Sequence, residues 1–191
     1  MELRTVGVIK VHEFIALDGV FEDPSWTFGF GFDPKMGETL AAITGSCQAI
    51  LLGRRTFEMF APAWSSRTAD QDPGAPFFND TPKYVVSGSL KTAEWNNSTI
   101  VGPYSAGAIR KLKDQVDGGI YVSGSGTLAR AMLADGLVDE LHLFVYPVAR
   151  GHGQRLLADG GPATKLTLAG SGAYSNGVVH LHYVPADPDA A

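Results

Sequence analysis

Runs of β-branched and aromatic residues alternate along this chain with stretches whose apolar positions recur every three or four residues. That alternation predicts strands separated by helices. Residues 6–17 read as the first strand, closed by the turn pair Asp18-Gly19. Residues 38–47 read as a helix with Leu40, Ile43 and Cys47 on one face, and residues 49–52 as a short buried strand. A helix opens over 56–60, and 61–82 reads as a long connection. Further strands are expected at 83–87, 97–101, 119–123 and 141–148. Helices are expected at 105–116, with Ile109, Leu112 and Val116 as the apolar stripe, and after the glycines at 124–126. Residues 166–169 and 178–183 form a closing antiparallel pair. The predicted fold class is α/β, three layers deep, with a mostly parallel central sheet and an antiparallel C-terminal edge hairpin. Residues 1–185 are taken as one domain, with 186–191 as a frayed, Pro- and Asp-rich tail.

The segment "VFEDPSWTFGFGFDPKMG" breaks the pattern. It holds turn-forming glycines and prolines, yet also Phe21, Trp26, Phe28, Phe30 and Phe32. Connections are normally polar, so an aromatic one borders a ligand pocket or a subunit interface, or else serves as a flap over its own core.

Composition narrows the function classes. The chain has 191 residues, 45% hydrophobic and 18% charged, with a formal net charge of −5. An acidic balance argues against nucleic-acid binding, which needs cations to neutralise phosphates. The start of the chain lacks a long apolar stretch, and no segment reaches the roughly 20 apolar residues needed to cross a bilayer, so no membrane contact and a cytoplasmic location are expected. Cys47 is the only cysteine, which removes an intramolecular disulfide and thiolate zinc sites. His12, His142, His152, His180 and His182 lack ligand spacing on a helix. His180 and His182 share a strand face and could pair on a metal or lie on a plain surface strand; no metal is expected.

Three strand ends carry candidate chemistry. In "IYVSGSGTLARAML" an apolar strand passes through Ser123-Gly124-Ser125-Gly126-Thr127 directly into an apolar-faced helix. Glycines admit close backbone approach, and N–H groups at a helix start attract an anion. In "ILLGRRTFEMF" a strand ends at Gly53, with Arg54, Arg55 and Thr56 at the start of the next helix. Cations are disfavoured at that end of a helix dipole, and a nearby phosphate would resolve the conflict. A tight turn and a solvated or salt-bridged arginine pair are the alternatives when each motif is read alone. "KYVVSGSL" again ends a strand, in Ser87-Gly88-Ser89. Together the three suit an extended polyanion such as a phosphorylated dinucleotide.

In order, "FIALDGVFEDP", "ILLGRRTFEMF", "KYVVSGSL", "IYVSGSGTLARAML" and "LVDELHLFVYPVARGHGQRLL" resemble the dihydrofolate-reductase-like proteins. The nearest branch is the reductase domain of the bifunctional riboflavin-biosynthesis deaminase–reductase and its stand-alone relatives, and the resemblance spans nearly the whole chain. It implies a dihydrofolate-reductase-like fold, an NADPH cofactor, a pteridine-like or ribosylamino-pyrimidine substrate, and a homodimer. By this likeness Gly53, Arg54, Arg55 and Thr56 hold the 2′-phosphate and pyrophosphate side, with Ser87 near the adenosine ribose. Ser123, Gly124, Ser125, Gly126, Thr127 and Leu128 cradle the pyrophosphate, while Ala16 and Leu17 meet the nicotinamide carboxamide through their backbone. Asp18 opens the loop over the site and is one catalytic candidate. Glu38 is the other, since folate reductases carry a carboxylate on the first helix, although a helix-start glutamate also serves as a dipole partner. Trp26, Phe28, Trp64 and Pro147 are the candidates for the substrate side. No His-x-Glu with Pro-Cys-x-x-Cys is present, so zinc deamination is not expected. A non-catalytic nucleotide- or flavin-binding protein that keeps the cradle is the alternative.

Overall fold

The computed structural model describes residues 6–157 and 163–186. The elements run β1 (Val8–Ala16), a 3₁₀ helix (Pro24–Phe30), α1 (Pro34–Gly45), β2 (Cys47–Gly53), α2 (Arg54–Trp64) and α3 (Ala75–Asp80). They continue with β3 (Lys83–Val86), β4 (Ser98–Gly102), α4 (Ala106–Gln115), β5 (Gly119–Ser123), α5 (Gly126–Ala134), β6 (Glu140–Tyr146), β7 (Leu166–Ala173) and β8 (Val179–Pro185). All eight strands form one sheet in the order β4-β3-β2-β5-β1-β6-β8-β7, and only β8 runs against the others. The expected fold class is therefore observed. Of the expected tail 186–191, residues 187–191 lie outside the described residues. Among the described residues no helix is long and apolar enough to cross a membrane.

The near-continuous apolar runs of β2 and β5 follow from burial on both faces. Ala49, Leu51, Ile120 and Val122 face a core with Ile109 and Leu112 of α4 and Leu128, Ala129 and Met132 of α5. Ile50, Leu52 and Tyr121 face a second core with Met36 and Ile43 of α1, Phe57 of α2 and Phe78 of α3. Thus α2 and α5, which follow neighbouring strands, lie on opposite faces. From β2 the chain moves outward to β3; from β5 it crosses β1 to reach β6. The carboxyl ends of β2 and β5 therefore flank the point where the winding reverses, which is where open α/β sheets form a crevice.

Two elements differ from expectation. The helix expected from Thr56 starts at Arg54 and carries Pro62 in its last turn, ending at Trp64. The connection 61–82 contains α3, a six-residue helix too short to show periodicity. It is held by the Trp64 ring stacked on Phe78 at 4.2 Å and by the Asn79 amide donating to the Trp64 and Arg67 carbonyls.

Asp33 ties the second layer to the edge hairpin. One carboxylate oxygen caps α1, accepting from the N–H groups of Lys35 and Met36 at 2.8 and 3.1 Å. The other accepts from the hydroxyl and N–H of Ser175, in the turn between β7 and β8, at 2.6 and 2.8 Å. The Ser175 hydroxyl, then its N–H, hold the Asp33 pKa down to about 2 from 3.8. A carboxyl depressed in the folded state contributes stability above its unfolded pKa and loses it as the pH falls through the folded one. Asp33→Asn should therefore be less stable than wild type at pH 7, with the gap narrowing between about pH 4 and pH 2. Urea midpoints measured across that range check this, and a gap independent of pH would remove the charge of Asp33 as its source.

Candidate active site

At the reversal point lies a cavity of about 660 Å³. Its polar wall is built by the ends of β2, β3 and β5. Gly53, Arg54, Arg55, Thr56, Ser87, Ser123, Gly124, Ser125, Gly126, Thr127 and Leu128 all line it. Of the thirteen residues expected on the cofactor side, all but Ala16 and Leu17 thus meet in one place.

The wall is set by local chemistry. Gly124 and Ser125 both adopt left-handed backbone conformations, at φ 61° and 59°, a costly choice for serine. Two hydrogen bonds hold it there: the Ser125 N–H donates to Thr56 Oγ1 at 2.7 Å, and the Gly53 N–H donates to Ser125 Oγ at 2.8 Å. With Ser125 so engaged, α5 starts without a side-chain cap, and α2 starts from Gly53 without one. Two uncapped helix N-termini therefore open into the same cavity, each with positive potential and free first-turn N–H groups. Ser87 Oγ accepts from the N–H groups of Ser89 and Leu90, leaving its own hydrogen available to a ligand. Arg54 reaches back to Glu58 at 3.0 Å in a half-exposed pair, worth about 0.3–0.5 kcal/mol and easily exchanged for a phosphate.

Apolar side chains complete the lining, among them Phe14, Phe21, Met59 and Phe60. A methyl group at Gly126 would overlap the Phe21 ring, so the glycine is what lets that ring close against the start of α5. Phe21 and Glu22 are tied to the loop after β6: the Phe21 N–H donates to the Gln154 carbonyl, and the Gln154 N–H to Glu22 Oε2, both at 3.1 Å.

Three acids line this cavity, Glu13 of β1 and, in the loop after it, Glu22 and Asp23; of these Glu13 is the buried one. Its side chain is buried at 3% residue exposure. Oε2 accepts from the Gly124 N–H at 3.2 Å, while Oε1 is sealed from solvent with no hydrogen-bond partner. Burial pushes its pKa well above 4.5, and the Gly124 bond only partly opposes that, so the protonated form is favoured. The sequence reading passed over it. The available signal was a glutamate inside "VHEFIA", a run otherwise read as an apolar strand.

Several expected site residues lie elsewhere. Glu38 of α1 lines a separate groove against β7 and β8. Asp18 does not line the cavity: its carboxylate accepts from the Gly151 N–H at 2.7 Å, which holds its pKa below 3.8 and makes it a clamp between two loops. The N–H of Ala16 is spent on the Val20 carbonyl and that of Leu17 on the Val148 carbonyl, so neither is a free donor. Trp26 packs edge-on against Tyr146, as Phe30 does, which makes that part of the aromatic loop a flap over its own core. Phe28 is 85% exposed. Trp64 is held against Phe78, and Pro147 lies beside Gly177; none of these four lines the cavity.

Comparison with known proteins fits this architecture. The family described as RibD C-terminal domain matches residues 8–180. The uncharacterized protein YyaP of Bacillus subtilis is 26% identical over 176 residues, covering 88% of this chain and 90% of YyaP. Among solved structures, a candidate riboflavin biosynthesis protein from Shewanella sp. PV-4 superposes with a TM-score of 0.77 at 16% identity, over 94% of this chain and 99% of that one. Dihydrofolate reductase from Enterococcus faecalis, complexed with NADP(H), gives a TM-score of 0.62 at 14% identity, over 97% and 100% of the two chains. With a sheet of the dihydrofolate-reductase type and a family match spanning most of its length, this chain belongs to the RibD C-terminal domain family.

Proposed function

We propose that the cavity binds NADPH and that the protein is a reductase acting on a flat, pteridine-like or ribosylamino-pyrimidine substrate. The observation that carries this reading is the pair of uncapped helix N-termini facing one cavity beside Arg54 and Arg55. Such a wall suits a ligand with phosphates at two separated points. The Enterococcus reductase, which shares the fold, is complexed with NADP(H).

In this reading Gly124, Ser125, Gly126 and Thr127 hold the pyrophosphate, and Arg54 and Arg55 hold the 2′-phosphate. NADPH supplies the hydride, so the protein's share is binding, orientation and exclusion of water. Phe14, Met59 and Phe60 provide an apolar face against which a planar heterocycle can lie. Reduction of a carbon–nitrogen double bond also needs a proton, and Glu13 is the buried acid on the cavity lining, its pKa raised by burial. It takes the role first expected of Glu38.

Titration of NADPH followed by its fluorescence should show saturable binding, and none at tens of micromolar would overturn the reading. Arg54→Ala should weaken NADPH by roughly 10- to 100-fold, the loss of one charge-assisted contact, while leaving NADH nearly unchanged. Equal losses for both cofactors would remove Arg54 from 2′-phosphate recognition. Glu13→Gln keeps an acceptor for Gly124 but lacks an acidic proton. It should bind NADPH as wild type does and lower kcat by about 100-fold or more. Unchanged turnover in stopped-flow assays would take the proton-donor role from Glu13.

A further inference from the structure

Register brings a second polar cluster together on the α1 side of the sheet. His12 of β1 pairs with His142 of β6, and His142 with His182 of β8, so three histidines stand in one row across adjacent strands. In the row toward the strand starts, Lys10 pairs with Glu140; in the other direction, His180 pairs with Phe144. Side chains two residues apart on a strand share a face, so this register converges an acid and several imidazoles.

The donor atoms are close. Glu140 Oε2 lies 3.0 Å from His142 Nε2 and 3.5 Å from His182 Nε2, and the three atoms all lie within 4.8 Å of one another. His182 Nε2 is shielded from solvent and has no hydrogen-bond partner. The other nitrogen of His142, Nδ1, is 3.1 Å from His180 Nε2. When Nδ1 donates to His180, Nε2 of His142 presents its lone pair toward Glu140 and His182, the arrangement in which an outer partner fixes a ligating tautomer.

We propose that Glu140, His142 and His182 form a structural site for a divalent transition-metal ion, zinc above others, that ties β8 to β6, with His180 orienting His142. Two imidazoles and one carboxylate favour zinc, cobalt or nickel over magnesium or calcium, which want oxygen ligands. The His142 and His182 rings are stacked with centroids 4.2 Å apart. Bonds of about 2.1 Å to a shared ion require the rings to tilt toward each other. His182, with 26% side-chain exposure, is the one with room to do so. It lines the groove between α1 and the β7–β8 hairpin, which gives an ion a way in. Lys10 holds the other carboxylate oxygen, Oε1, at 3.1 Å, so Oε2 remains for the metal while the ammonium opposes it.

Tag-free protein titrated with zinc chloride by calorimetry, and melted with and without zinc, tests this. One ion per chain should bind at micromolar concentration or below and raise Tm. His182→Ala should lower affinity by about tenfold or more and abolish the Tm shift, while Lys10→Met should tighten binding. Cobalt should give visible ligand-field bands that His182→Ala removes, a readout that does not depend on any change in stability. Zinc binding weaker than about 100 µM, no cobalt bands, or equal affinity in wild type and His182→Ala would each overturn the proposal.

Discussion

Two reciprocal hydrogen bonds at the ends of β2 and β5 set the geometry of the cavity. Ser125 gives its N–H to Thr56 and receives that of Gly53. These bonds join the starts of helices that lie on opposite faces of the sheet, and they support two successive left-handed residues. Without Thr56 Oγ1 the part-buried N–H of Ser125 would lose its partner, and the turn would be freer to relax toward an ordinary conformation. The uncapped start of α5 is thus a consequence of the lock. Ser125 cannot cap the helix because its side chain is already engaged across the crevice. The same bond that shapes the wall leaves the anion-binding groups free.

The layers and the succession of strands and helices were largely legible because their signals are local. Apolar runs ending in Gly, Ser, Thr or Arg mark strand ends, and three such ends proved to lie at one edge of the sheet. What stayed hidden depends on register. Glu13 looks like a stray charge until Gly124, 111 residues later, is seen beside it. Glu140 joins His142 and His182 only once β6 and β8 are paired. The aromatic expectations failed for a related reason. Trp26 and Trp64 find partners in Tyr146 and Phe78, whereas Phe14 on a strand and Phe60 on a helix line the cavity. Ring count in a loop says how much aromatic area is present, not which surface it covers.

β1 shows how one strand serves two polar systems. Paired on both sides, it carries Lys10 and His12 toward one face and Glu13 toward the other. Burial of each polar group costs free energy unless a partner offsets it. Lys10 has Glu140, and His12 Nδ1 has the Tyr121 hydroxyl at 2.7 Å. His12 keeps its second nitrogen bare, and burial drives its pKa down to about 3, so the ring stays neutral and the cost stays that of an uncharged acceptor. That orphan is enclosed by Phe14, Tyr121 and Phe144, where nothing can reach it. Burial also raises the Glu13 pKa, and one of its oxygens is also bare, but it stands on a cavity wall. A penalty of the same kind therefore has different meanings at the two sites. In the closed pocket it is a standing cost of the fold. At the cavity wall the acid also holds the Gly124 N–H of the glycine turn in place, and that link makes Glu13 part of the site while His12 remains part of the core.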